Sequence, residues 1–491
     1  MKKYKLGIKG AASDSILLTI VRVVTAILGL IVTKLLSVYF SLEEYGTYSQ
    51  AMLVVTTATS FSILGLTNAV NFFYNKTQDE QKQQEYISTI FGIQYIVGII
   101  CAIIILLAQK PIYLYFNNGD LKNVILFAAW MPLLENLLPM LQVLFVSIGK
   151  AKIIAIRNFI ISVIRLLIVL FACLVTKNIC TIFVILLITD IIQVIYFMYS
   201  FAKRKFKIKV KYFNMNMVPQ VLEFSIPMAI YVLTNALTRD IDKYVVSFFT
   251  DTGTLAIYTN ASKILPFDLI TASFITVLIP IVTRQIGARD YKGALKTFRG
   301  YLRLGYLLTW IFAFGAVIVA KELMILLYDS KFLPGLSVFI IYLFVDMVRF
   351  ANTSLILTAK GKTKILMYAS IASLILNLIF NVLTFKYWGI VGPAATTLIL
   401  TVALTIFLLH YGAKEIGYTI KDFFDKKEIL FIIIQLSIVG LICWKIKYVL
   451  NTMIHSNTIV LVIIYCIYAA IMLLLNFKKI LNALREISTC K

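Results

Sequence analysis

Charge is scarce in this sequence, and acid scarcer still. Only 14% of its 491 residues are Asp, Glu, Lys or Arg, with 23 acidic residues against 47 basic ones. A soluble domain usually carries about a quarter charged residues and is about half apolar. A chain that is 60% apolar, with mean hydropathy +0.91, has too little polar material to coat a soluble core of this length. The two histidines, His410 and His455, give no basis for a histidine metal centre. Six cysteines (Cys101, Cys173, Cys180, Cys443, Cys466, Cys490) stand at unrelated spacings, forming neither a disulfide framework nor a metal-ligand pattern. Nine prolines exclude collagen-like or Pro-rich linker segments. The long apolar runs also lack period-2 alternation and far exceed the ~10 residues of a barrel strand, which excludes a membrane β-barrel.

What is present is a series of apolar runs, each near the ~20 residues that a bilayer-crossing helix needs. About fourteen can be laid out, near 15–40, 46–74, 86–108, 124–148, 153–176, 179–200, 219–249, 254–283, 304–328, 334–359, 365–385, 388–411, 429–450 and 457–476. The first follows Lys2, Lys3, Lys5 and Lys9, as a secretory leader would. It is too long for one and no small-residue cleavage site ends it, so it is read as a membrane span. With both termini in the cytoplasm, the inner connections hold about 31 Lys and Arg and the outer loops about 7, the asymmetry of the positive-inside rule. The net charge of +24 and pI of 9.6 therefore mark basic loops facing an anionic leaflet rather than a nucleic-acid surface.

The chain also repeats itself. Tyr45-Gly46-Thr47-Tyr48-Ser49-Gln50-Ala51 is answered by Leu255-Ala256-Ile257-Tyr258-Thr259-Asn260-Ala261, and Gly149-Lys150-Ala151-Lys152 by Gly361-Lys362-Thr363-Lys364. The expected fold is an all-α polytopic membrane protein: two pseudo-symmetric six-helix lobes around a central cavity, plus a C-terminal helix pair. The lobes are placed at 1–200 and 219–411, joined by a basic cytoplasmic linker at 201–218, with residues 412–491 supplying a loop, the extra pair and a basic tail. Each lobe has an even number of spans, so both insert with the same orientation, an architecture suited to transport.

Ionisable residues inside a bilayer are expensive and mark candidate sites. The cations are Arg22, Lys34, Arg165, Arg239, Lys243, Lys263 and Arg349; the acids, for ion coupling or ion pairing, are Glu135, Asp190, Asp240, Asp242, Asp268 and Asp346. Arg157 lies near a span's cytoplasmic start and is expected to snorkel to the headgroups. In the dense cluster Arg239-Asp240-Ile241-Asp242-Lys243, Arg239 with Asp242 and Asp240 with Lys243 are i,i+3 pairs that would neutralise themselves. The excess of buried cations suits an anion such as a phosphate or diphosphate. Pro132, Pro139, Pro227, Pro266 and Pro280 are expected to kink spans.

Two enzymatic motifs fail. Ala359-Lys360-Gly361-Lys362-Thr363 resembles the end of a phosphate-binding loop, but the glycine required five positions before Gly361 is Ile356. Asp240-Ile241-Asp242 mimics the acidic pair of metal-dependent glycosyltransferases, yet lies inside a span. Catalysis is the weaker class, and no cofactor is expected.

Ser41-Leu42-Glu43-Glu44-Tyr45-Gly46-Thr47-Tyr48, Arg239-Asp240-Ile241-Asp242-Lys243-Tyr244, the Ile257–Lys263 stretch, Leu376-Asn377-Leu378-Ile379-Phe380-Asn381 and Trp388-Gly389-Ile390-Val391-Gly392-Pro393-Ala394-Ala395 together span most of residues 10–411. In this order the chain resembles a polysaccharide flippase of the multidrug/oligosaccharidyl-lipid/polysaccharide exporter superfamily. The resemblance implies a bacterial cytoplasmic-membrane transporter with inward and outward openings and a cationic cavity for an undecaprenyl-diphosphate-linked oligosaccharide. It also implies coupling to H+ or Na+, with Glu135, Asp190 or Asp346 as candidates, and partnership with a polysaccharide polymerase and glycosyltransferases. The extra helix pair keeps a lipid II flippase as the alternative. A multidrug exporter fits less well, because such cavities select organic cations.

Overall fold

A computed structural model describes residues 8–77, 79–148, 150–267, 278–279, 281–454 and 456–488, among which there are helices and no strand. The chain forms two compact units, one of Met1–Asp240 with Ser247–Ala256 and the other of Ile241–Val246 with Ile257–Lys491.

The first unit contains α1 (Ile8–Tyr39), α2 (Leu42–Ser62), α3 (Leu66–Lys76), α4 (Glu80–Leu107), α5 (Gln109–Tyr115), α6 (Leu121–Ala128), α7 (Met131–Ser147), α8 (Ala151–Phe171) and α9 (Ile179–Arg204). From there the chain enters α10 (Val218–Phe249) and α11 (Thr252–Ala261). The second unit continues with α12 (Tyr291–Ile318), α13 (Ala320–Leu327), α14 (Leu336–Val348), α15 (Leu355–Ala359), α16 (Thr363–Trp388), α17 (Val391–Glu415), α18 (Ile420–Phe423), α19 (Lys426–Met453) and α20 (Asn457–Ser488).

Local chemistry sets the ends of these helices. Ser41 opens α2 with a capping box: its hydroxyl accepts from the Glu44 amide at 3.1 Å, and the Glu44 carboxylate accepts from the Ser41 amide at 2.8 Å. At the repeat shift of 210, Asp251 accepts from the Thr254 amide at 2.8 Å and opens α11. Asp79, Asn178, Asp290 and Asp425 cap α4, α9, α12 and α19 with side-chain oxygens. The expected span 46–74 breaks between α2 and α3 at Leu64 and Gly65, both at positive φ. It still counts as one membrane passage, Leu42–Lys76.

Among the described residues, 11 helices are long and apolar enough to cross a membrane, or up to 12 if the bent α10 is one span. Two of the fourteen expected segments account for the difference. Of the first, Val23–Tyr39 is the apolar part that qualifies, as a shorter helix. The second, 254–283, is not one continuous helix: α11 stops at Ala261, residues 262–267 are non-helical, and 268–277 lie outside the described residues. The prolines also divide. Pro227 accompanies a 43° bend in α10. Pro132 sits in the first turn of α7, where its missing N–H costs nothing, and Pro139 is carried inside the same helix. Pro266 lies in the non-helical stretch and Pro280 outside the described residues.

The first unit's core gathers Leu66, Phe73, Ile90, Leu137, Leu141, Phe145, Phe197 and Phe201, where α3, α4, α7 and α9 meet. In the second unit α12 is the axis. Val460, Ile464, Tyr468 and Met472 of α20, and Ile432 and Leu436 of α19, join Leu304, Leu307 and Ile311 in one core. The C-terminal pair is therefore built into this unit and also tied to it by charge. Arg303 meets Glu428 at 2.8 Å and Glu486 at 3.3 Å, and near the opposite end of α12 Lys447 meets Glu322 at 3.2 Å and the Ile318 carbonyl at 2.7 Å. Removing one partner of a largely buried pair strands the others. Arg303→Met is expected to destabilise the protein by about 2–3 kcal/mol, seen as a thermal midpoint several degrees lower in detergent, and Glu428→Gln/Glu486→Gln added to it should recover part of the loss.

Candidate functional site

Three helices of the first unit turn one polar-bearing face each toward a common cavity of ≈ 310 Å³. From α7 come Met131, Glu135, Leu138, Pro139 and Gln142; from α8, Arg157, Ile161, Ile164, Arg165 and Ile168; from α9, Leu186, Thr189, Asp190 and Gln193; Thr59 of α2 completes the lining. Within each helix these positions recur at three- and four-residue steps, the signature of a single helical face. The apolar residues embed the helices, and the few polar ones are left facing each other.

Those polar groups form a charge-balanced network. Thr59 donates to the Glu135 carboxylate at 3.1 Å. The Gln193 amide nitrogen donates to Asp190 at 2.8 Å, while its carbonyl accepts from Arg157 Nε at 2.9 Å and from a second nitrogen of the same guanidinium. The Arg157 guanidinium also lies 5.8 Å from the Phe197 ring centroid. Arg165 lies within electrostatic reach of Tyr48, Glu135 and Asp190. Two arginines thus face two carboxylates in one intramembrane cavity. Three residues marked in the sequence, Glu135, Arg165 and Asp190, meet here. Arg157 joins them; instead of reaching for headgroups it is held by Gln193 and Phe197. Gln193 was not singled out, though it lies three residues from Asp190 on the same face.

The second unit holds a different arrangement. Asp242, 1% exposed, accepts from the Tyr258 hydroxyl at 2.8 Å and from the Tyr342 hydroxyl. Its other oxygen accepts from the Lys243 amide at 2.9 Å. The expected pairing of Arg239 with Asp242 is replaced. Arg239, with its side chain 58% exposed, instead lies 3.9 Å from Asp240, because two tyrosines already occupy the Asp242 carboxylate. Asp346, also buried, accepts from the Leu265 amide at 3.1 Å. The repeated tyrosines therefore both stand beside an ionisable group: Tyr48 near the guanidinium of Arg165, and Tyr258 bonded to the carboxylate of Asp242.

Lys34 is half-buried on α1, Lys243 half-buried on α10, Arg349 half-buried at the end of α14, and Lys263 exposed beyond α11. The Arg22 side chain and Asp268 lie outside the described part of the structure.

The sequence profile of the polysaccharide biosynthesis protein family matches residues 31–337, more than half of the chain. The chain belongs to this family. No curated protein sequence matches it. Among solved structures, the lipid II flippase MurJ in an inward closed conformation is 19% identical, with a TM-score of 0.72 over 93% of this chain and 99% of that one. An inward-facing multidrug resistance MATE family transporter of the MOP superfamily is 12% identical, with a TM-score of 0.66 over 81% and 98%. A Pyrococcus furiosus transporter of that superfamily, described as having a binding pocket of reversed polarity, is 13% identical, with a TM-score of 0.57 over 82% and 94%. The family member described here has the fold of these transporters, and the polysaccharide-biosynthesis resemblance read from its sequence is borne out.

Proposed function

We propose that this family member flips an undecaprenyl-diphosphate-linked oligosaccharide across the bacterial cytoplasmic membrane by alternating access, supplying capsule, O-antigen or exopolysaccharide assembly. The observation that carries this reading is the cavity where Arg157 and Arg165 face Glu135 and Asp190 inside a polysaccharide-biosynthesis family member. At ≈ 310 Å³ it sits at the small end of ligand pockets, sized for a charged headgroup rather than a sugar chain. A diphosphate and a carboxylate compete for the same guanidinium, because each offers a pair of anionic oxygens to its two parallel N–H groups. Protonating Glu135 or Asp190 would release Arg165 to the diphosphate, and deprotonation would reclaim it. That exchange couples an anionic substrate to proton movement. The lobe boundaries at 1–200 and 219–411, both termini in the cytoplasm, and roles for Lys34, Arg239, Lys243, Lys263 and Arg349 along the path belong to the same proposal.

The test is flipping of a polyprenyl-diphosphate oligosaccharide in proteoliposomes. Arg165→Ala is expected to slow it at least tenfold and Arg165→Lys less, since lysine keeps the charge but loses the fork. Glu135→Gln with Asp190→Asn should leave binding intact while removing the response to a pH gradient. Unchanged surface polysaccharide in cells carrying alanine at Arg165, Arg239 and Lys243 would sink the reading. A lipid II flippase is the second reading, favoured by the 93% coverage in the MurJ comparison. Lipid II moved in preference to the oligosaccharide would select it, and dye efflux with normal polysaccharide would select a multidrug exporter.

A further inference from the structure

The segment joining α9 to α10, residues 205–217, is not a slack tether. Phe206 is buried, and the Phe213 ring fills the space beside Gly92 of α4, where an added Cβ would lie 2.6 Å from it. The Asn214 amide donates to Thr89 at 3.0 Å and its side chain to Glu85 at 3.2 Å, while Gln84 donates to the Lys207 carbonyl at 2.8 Å. Two short 3₁₀ turns, Val210–Tyr212 and Met215–Met217, give the rest its shape. The segment is thus strapped along the first turns of α4 by its inward aromatic and amide groups.

Its other side is unusual. Lys203, Arg204, Lys205, Lys207, Lys209 and Lys211 are all exposed, and no Asp or Glu occurs between 201 and 218. Beside these cations Val210 is 90% exposed and outside any candidate span, and Met215, 73% exposed, opens the bent candidate span that runs into α10. Large apolar side chains held open to water by a rigid strap cost free energy unless something covers them. Six cations around them state the charge of what does. A cover both apolar and anionic is the interfacial layer of an acidic bilayer: methyl groups enter at acyl-chain level while ammonium groups stay among phosphates. Basic residues beside a membrane are drawn to anionic lipid in this way, within a Debye length.

We propose that the strap at 203–215 is a docking surface for anionic phospholipid headgroups, with Val210 and Met215 as the inserted residues. It works whatever substrate the chain moves, and a lipid occupying it would hold the α9–α10 connection against the bilayer.

The full-length protein, purified in detergent and titrated with phosphatidylglycerol or phosphatidylcholine, reports lipid retention by native mass spectrometry. The wild type should retain phosphatidylglycerol with at least tenfold preference, lost in 0.5 M salt. Replacing Lys203, Lys205, Lys207, Lys209 and Lys211 together by glutamine should cut the preference below about twofold, and replacing the same five by arginine should keep it. Val210→Ser with Met215→Ser should weaken phosphatidylglycerol retention several-fold. As a control, Lys292→Gln/Lys296→Gln/Arg299→Gln should leave the preference in place. A preference that survives the five glutamines, or is lost equally in the control, overturns the proposal.

Discussion

Gly46→Val is expected to leave almost no folded protein in the membrane fraction. A Cβ at Gly46 would lie 2.2 Å from the Thr252 carbonyl oxygen and 2.5 Å from its methyl carbon, and backbone cannot retreat as a long side chain can. The surroundings are already fixed. Gln50, one turn further along α2, donates to the Thr252 hydroxyl at 3.3 Å, and Asn118 donates to Gln50 at 2.6 Å and to Thr47 at 2.8 Å. Separating α2 from the first turn of α11 would undo that polar knot as well as the contact. Ordinary overpacking costs about 1–3 kcal/mol; here the lost hydrogen bonds add to it, so the effect should exceed that range. Gly46→Ala should already lower the thermal midpoint strongly, and Thr252→Gly, which keeps the clashing carbonyl, should not restore it. Wild-type expression and melting of Gly46→Val would show that the two elements do not meet this closely.

Asp242→Ala carries the second large effect. Its carboxylate is the acceptor for two tyrosine hydroxyls in a dry interior, and each hydroxyl left without a partner costs about 1–3 kcal/mol. With the cavity left by the missing carboxylate, about 3–5 kcal/mol of stability should go, enough to move the unfolding midpoint by many degrees in detergent. Asp242→Asn keeps an acceptor and should lose less. Tyr258→Phe and Tyr342→Phe should each cost about 1–2 kcal/mol and be strongly non-additive with Asp242→Ala. The apolar triple Asp242→Leu/Tyr258→Phe/Tyr342→Phe should regain much of the loss, because donors and acceptor vanish together. A melting curve for Asp242→Ala superimposable on the wild type would refute the account.

Membrane spans were legible from the sequence because twenty consecutive apolar residues have few other uses. Glu135, Arg165 and Asp190 were legible because charge at mid-span is costly enough to be informative wherever it occurs. Their neighbours were harder to read. Arg157 sits close enough to a span's end that snorkelling was physically sensible, and only the position of Gln193 and Phe197 on α9 shows what holds it. The true partners of Asp242 lie 16 and 100 residues away, whereas the i,i+3 rule sees only its own helix. The repeat was readable as letters, Tyr48 against Tyr258. That each stands beside an ionisable group, a cation in one half and a carboxylate in the other, was not, since sequence similarity records the tyrosine and leaves out its neighbour. The interruption after Ala261 was half legible: Pro266 marked a kink, but that the Leu265 amide goes to Asp346 was not visible in the sequence.

Along α12, three glycines are seats for three different neighbours. A Cβ at Gly300 would meet Glu486, one at Gly305 the Phe350 carbonyl at 2.6 Å, and one at Gly315 the Tyr468 ring at 2.8 Å. The helix therefore discriminates by bulk more sharply than by greasiness. Swapping its leucines for other aliphatics is a small perturbation, while one methyl at Gly305 or Gly315 presses on a carbonyl or a ring. Natural drift in this stretch should follow side-chain volume, with its smallest positions the slowest to change.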